Sequence, residues 1–300
     1  MFLFNNLNCL LIGITMQVQY SIFVIYCGFI LRVIVAICNT FWGPIPGAEF
    51  DAQTFFNKAV DISYNLNFEH WTLGPNIYLN ILGIVFHYTI PSLLLASLIS
   101  CFAWLWSSHI LLKTLELMGT TRKIKFQASI LYSLYPSSVL FTSLTLREPF
   151  QLLFLAFSIY LALKIYHEKK LSRFFYLFIV LVFMGSLHGA MAITSIALFF
   201  GSLLLYLIGK DNNFFYFKIF FFLLFTVPLI IYFSPFIFKI SYDLSDGLFE
   251  AAKNYQIRSF EDFVGRSSYK SIDELDNYGL LLFITYGFIL YLFAPFFWQI

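Results

Sequence analysis

Between residues 19 and 42 the chain carries one charge, Arg32, in an otherwise apolar run. At about 1.5 Å per residue, a helix of that length crosses the ~30 Å hydrocarbon layer of a bilayer. In that solvent every backbone polar group needs a partner inside the protein, which leaves helices and closed barrels as spanning structures. Comparable apolar runs recur at 92–112, 126–144, 149–166, 174–187, 190–208, 217–238 and 279–298. Their length and lack of strict alternation specify helices. Composition agrees: 60% of the 300 residues are hydrophobic, only 11% are charged, and mean hydropathy is +0.81. A soluble domain needs roughly a quarter charged residues to wet its surface. The expected fold is an all-α polytopic transmembrane bundle of about eight spans, forming a single integral membrane domain over residues 1–300.

Two polar segments interrupt the pattern, at 43–76 and 240–277. The first opens on a Gly/Pro turn, Gly43-Pro44-Ile45-Pro46-Gly47, and continues with Phe55, Phe56, Ala59, Val60 and Tyr64 at helical spacing. Asn57, Lys58, Asp61 and Asn65 occupy the other face, a pattern that suits a helix lying along the membrane surface. Pro91 divides the long stretch 77–113, so 77–90 reads as a short re-entrant or interfacial helix. Residues 1–15 are apolar but lack a basic leader and a small-residue cleavage site. They read as an interfacial stretch, or an extension upstream of an alternative start at Met16, rather than a removable signal peptide.

The loop charges orient the chain. One set of turns holds ten bases (Lys113, Arg122, Lys123, Lys125, Lys164, Lys169, Lys170, Arg173, Lys210, Lys218) against three acids, Glu116, Glu168 and Asp211. The other set holds seven bases and thirteen acids. Lys/Arg excess marks the cytoplasmic side, so both long polar segments are expected to face outward, from a cytoplasmic (inner) membrane to the periplasm or exterior. A net charge of +2 with no basic stripe excludes nucleic-acid binding. Cys9, Cys27, Cys38 and Cys101 lie in apolar runs and make neither a metal-ligand spacing nor a disulfide framework. No cofactor is implied; a divalent metal is left open.

Polar chemistry is concentrated outside the spans. Ion-coupled transporters need chains of buried charge, and Arg32 stands alone. It is either a clamp onto backbone carbonyls of neighbouring helices or a cation orienting an outward acid. In the first outward loop, Glu49 and Asp51 follow the Gly/Pro turn. Asp51 reads as the cap of a helix starting at Ala52, as a general base at the membrane surface, or as both. Thr145-Leu146-Arg147-Glu148-Pro149 forms an outward turn in which Thr145 and Glu148 have capping-box spacing. Arg147 beside them is suited to a phosphate. His188 occupies another outward turn, and Arg266 and Lys270 lie in the second loop among Asp273, Glu274 and Asp276.

The order of these features resembles the bacterial polytopic glycosyltransferases of the type C fold. The resemblance covers roughly residues 30–163: a first span, an outward acidic loop with Asp51, an amphipathic helix, Gly74-Pro75-Asn76-Ile77-Tyr78, a span with Tyr135-Pro136, and an outward turn at 143–148. The closing Phe293-Ala294-Pro295-Phe296-Phe297-Trp298 looks like a segment of envelope-polysaccharide proteins. The family's double proline before the tyrosine is the single Pro75 here. The chain stops at Ile300 directly after a span, which implies that the C-terminal part of such a fold is missing.

The resemblance implies transfer of a sugar from a polyprenyl-phosphate donor to an envelope glycan or lipid acceptor at the outer face. Asp51 matches the family's catalytic acid, and Glu148 falls where many members carry an acid. Arg147, with Arg266 or Lys270, would hold the departing phosphate. Glu148 and Arg32 would fix these groups, and Glu49, Tyr78 and His188 would line the substrate site. The expected partners are the lipid-linked donor, the acceptor and membrane lipids. Three other classes fit the same composition: a polysaccharide repeat-unit polymerase, a flippase for a lipid-linked glycan, and a non-catalytic assembly subunit.

Overall fold

A computed structural model describes residues 2–43, 45, 49–64, 66, 76–187 and 189–208. Among the described residues the chain is entirely helical, with nine helices and no strand. They are α1 (Phe2–Phe41), α2 (Glu49–Tyr64), α3 (Asn76–Tyr88), α4 (Leu93–Leu117), α5 (Arg122–Leu134), α6 (Pro136–Ser143), α7 (Glu148–Glu168), α8 (Ser172–Leu187) and α9 (Gly189–Ile208). Among the described residues, three stretches are long and apolar enough to cross a membrane: Tyr20–Phe41, Leu93–Leu117 and Glu148–Glu168. The spans expected at 217–238 and 279–298, and the second polar segment, lie outside the described residues.

Helix α4 is the centre of the bundle, packed on α1 and α7. It buries Ala96, Ser97, Ser100, Cys101, Ala103, Ser107 and Ser108, small residues that let neighbouring backbones approach closely. Each of the serines turns its hydroxyl onto a backbone carbonyl or another hydroxyl, as at Ser107 to Trp104 O (2.7 Å) and Ser108 to Trp104 O (2.9 Å). No polar atom of theirs is left facing hydrocarbon. Outside the bundle, Phe23, Phe102, Trp106, Phe175 and Phe178 stay exposed, as suits side chains that meet lipid tails. Helix α7 continues the packing onto α8, and α8 onto α9.

The expected single span at 126–144 is in fact two helices. Tyr135 is extended (φ −62°, ψ 118°) and Pro136 opens α6, because proline forbids the helical conformation to its predecessor and supplies no N–H of its own. The break leaves the last carbonyls of α5 without intrahelical donors. Arg32 supplies one. Its Nη1 donates to Ser133 O (2.8 Å) and Gly28 O (2.9 Å), its Nε to Thr142 Oγ1 (2.7 Å) and its Nη2 to Ser138 Oγ (3.1 Å). The guanidinium also lies 3.5 Å from the centroid of the Trp104 ring. Gly28 makes this approach possible, since a Cβ there would stand 2.7 Å from Ser133 Cβ.

Two further expectations change. Helix α2 begins at Glu49 rather than Ala52, so Asp51 sits in its first turn and is not its cap; a carboxylate there still complements the helix dipole. Phe55, Phe56, Val60 and Ile62 are partly buried around Ala59 and around Tyr78, Leu79, Leu82 and Phe86 of α3, while Tyr64 of the same helix is 75% exposed. The two helices meet so closely at Gly83 that a Cβ there would collide with Ile62. The opening segment, in turn, is continuous with α1.

Candidate functional site

Among the described residues, the end of α1, the start of α2, the turn before α7 and the end of α8 gather at one end of the bundle. Asn39 Oδ1, near the end of α1, accepts the Ile45 N–H at 3.0 Å and pins the Gly/Pro turn. Ile45 and Phe55 then pack around Ala52, Leu140, Leu144 and Leu146. The start of α2 is thereby held against the turn that leads into α7. From α4, Ser97 Oγ stands 3.3 Å from Thr145 Oγ1 and Ser100 donates to Leu146 O at 3.4 Å. From α8, Leu187 O accepts a long 3.5 Å contact from Arg147 Nη1. At the opposite end lie the basic turns, where Glu168 pairs with Arg173 and Lys170. There Lys169 Nζ donates to Leu205 O (3.0 Å) and Tyr206 O (2.9 Å) of α9.

The capping box read from Thr145 and Glu148 does not form. Arg147 is the N-cap of α7 and no side chain caps that helix. Thr145 is fully buried against Ser97. The Glu148 carboxylate lies instead against the backbone N–H groups of Arg147 and Glu148 at the start of α7. Its Oε1 lies 3.9 Å from Arg147 Nε, an ion pair too long for a hydrogen bond, and the two side chains keep 40% and 20% of their exposure. Glu148 Oε2 and Arg147 Nε are nonetheless buried with no hydrogen-bond partner. Each group is partnered through its other atoms, Arg147 through Nη1 to Leu187 O and Glu148 through the ion pair.

Asp51 and Tyr78 complete the constellation. Asp51 is half-buried and lies within electrostatic reach of Glu148. Tyr78, at the start of α3, is 2% exposed and also within reach of Glu148. Its ring is held by Phe55 (centroids 5.7 Å) and Phe150 (5.5 Å), while Phe55 also faces the Arg147 guanidinium at 5.8 Å. Phe55 is thus a wall shared by the tyrosine and the arginine. Burial pushes the Tyr78 phenol well above its usual range, with the neighbouring Ser100 a smaller, opposing influence. It stays a protonated donor. The Ser100 hydroxyl is turned to Ala96 O and Leu146 O, both at 3.4 Å, and lies beside the Tyr78 phenol.

The structure therefore brings together four of the residues singled out from sequence: Asp51, Tyr78, Arg147 and Glu148. Arg32 does not join them. Of its two readings the observed geometry is the clamp: its bonds go to two carbonyls and two hydroxyls of the helical core, and to no carboxylate. Glu49 is the first residue of α2, while His188, Arg266 and Lys270 lie outside the described residues. Phe55 and Phe150, which position the site, are indistinguishable in the sequence from the other aromatic residues of the chain. Their neighbours at the start of α2 and α7 were the available signal. Among the described residues, no trio of His, Cys, Asp or Glu is placed to hold a metal. Two carboxylates, a guanidinium and a neutral phenol grouped at the head of α7 can accept a proton, hold an anion and orient a hydroxyl. No family model, curated protein or solved structure matches the chain.

Proposed function

We propose that this chain is a membrane glycosyltransferase of about eight spans that moves a sugar from a polyprenyl-phosphate donor to an envelope glycan or lipid acceptor. The observation that carries the reading is the grouping of Asp51, Arg147, Glu148 and Tyr78 within electrostatic reach of Glu148 at the head of α7. The excess of bases in the other turns assigns that end to the outer face. In the reaction, the acceptor oxygen forms a bond to the anomeric carbon and the bond from that carbon to the phosphate oxygen breaks. The hydroxyl proton passes to Asp51, and the lipid phosphate leaves with the bonding electron pair. Arg147 stabilises the charge that develops on the departing phosphate, the type of contribution that often dominates such catalysis. Arg266 and Lys270 are the cations of the second outward loop that would assist it.

The test is direct. Deleting the gene should remove a surface glycan and cause a lipid-linked sugar to accumulate, and membranes carrying the protein should restore transfer from that extracted lipid. Movement of the lipid-linked sugar across vesicles without any new glycosidic bond would replace this reading with that of a flippase.

A further inference from the structure

Arg147 is contacted from three sides. Its guanidinium carbon lies over the Phe55 ring, 5.8 Å from the centroid. Leu187 O accepts from Nη1 at 3.5 Å, and a Glu148 carboxylate oxygen stands 3.9 Å from Nε. Packing fixes the ring. Phe55 is wedged between the core around Ala59 and Tyr78 and the core of Ala52, Leu140 and Leu144, and its ring meets that of Tyr78 at 5.7 Å. The Leu187 side chain belongs to the first of those cores. A ring held by two cores cannot follow a long, flexible side chain, so the arginine takes its place from the ring.

The contacts compete for one cation. The gap to Glu148 is about 1 Å beyond a charge-assisted hydrogen bond, so a small shift of the guanidinium would close that pair and leave less of the cation for an incoming anion. Attraction to the electron-rich face of a ring opposes the shift. For a partly exposed cation within about 6 Å it is worth about two- to fivefold in an equilibrium constant. The Arg147 side chain keeps 20% of its exposure, so an anion can reach it from water. We propose that Phe55 is a positioning residue for Arg147, whose ring face holds the guanidinium off Glu148 and open to a phosphate oxygen. The inference rests on the transferase reading only for which phosphate arrives.

The test replaces Phe55 by phenylalanine carrying one, two or three ring fluorines, which draw charge from the ring face with little change of shape. The probe is octyl phosphate below micellar concentration, titrated by calorimetry into the full-length protein in phosphatidylcholine nanodiscs, with Arg147→Ala nanodiscs as the blank. Binding should weaken step by step with each fluorine, by about two- to fivefold over the series. Filler in a hydrophobic core would give no such gradation. In a Glu148→Gln background the competing charge is gone and the gradation should vanish. If a fluorinated protein melts below wild type, Phe55→Leu, which keeps apolar bulk without a π face, carries the same expectation. Affinity unchanged across the series or in Phe55→Leu overturns the inference, as does a gradation that persists in Glu148→Gln or binding no better than the blank. Sugar transfer is measured separately in membranes: graded binding without transfer sinks the transferase reading alone, and transfer without gradation sinks the Phe55 role alone.

Discussion

Arg147 Nε stands 3.9 Å from Glu148 Oε1, so adjacent residues of opposite charge face each other without closing a hydrogen bond. The guanidinium is held from the other side by Leu187 O, which accepts from Arg147 Nη1 at 3.5 Å.

Replacing Glu148 by Gln keeps the shape and removes the charge. Sugar transfer in isolated membranes should fall by about 10²-fold or more, the lower range for loss of a positioned acid–base group. Protein abundance should stay near wild type, because burial disfavours the charged carboxylate and an amide oxygen still accepts the backbone N–H groups at the start of α7. Quantitative blotting beside the transfer assay checks both halves.

Arg32 is expected to behave in the opposite way. Arg32→Ala leaves Ser133 O without its external donor and removes the donors to Thr142 and Ser138. Each buried acceptor left unsatisfied costs about 1–3 kcal/mol. Thermal melting in detergent should show a large loss of stability, and Arg32→Lys should not restore it, since one ammonium cannot reproduce the fork or its stacking on Trp104. Any surviving folded protein should retain transfer, which separates clamp from catalyst.

Gly83 offers a test of how α2 is positioned. Gly83→Val should push on Ile62 and displace the helix that carries Asp51, lowering transfer. Trimming Ile62 to Ala in the same chain should return most of the activity. Failure of that second change to rescue would mean that contact between α2 and α3 does not set the site.

Orientation is checked by cysteine labelling in a background without native cysteines. An impermeant maleimide added to intact cells should reach Lys58→Cys and should miss Lys123→Cys until the membrane is opened. The reverse result would place the pocket in the cytoplasm and remove the lipid-linked donor from its reach.

Helix positions were largely legible in the sequence, because apolar runs of span length have few alternatives in a bilayer. The expectations at 77–90, 174–187 and 190–208 match α3, α8 and α9 to within two residues at each end. The break at Tyr135 was written in Pro136 but masked by the continuous apolarity around it. The start of α2 was misjudged by three residues, since a polar Glu49 and Asp51 suit either a cap or a first turn. At Thr145 local spacing gave the wrong answer: a capping box needs a free backbone, and tertiary packing of Leu144 and Leu146 turns that hydroxyl onto Ser97 instead. Arg32 could be flagged but not assigned, because its partners lie about a hundred residues away along the chain. Asp51, Arg147 and Glu148 were legible as chemistry; that they share a pocket with Tyr78 is a property of packing alone.

The most direct measurement is the rate of sugar transfer from extracted lipid-linked donor by membranes containing Asp51→Asn, at matched protein level. The account predicts transfer reduced to background while the variant inserts and melts like wild type. Transfer at the wild-type rate by that variant would contradict it.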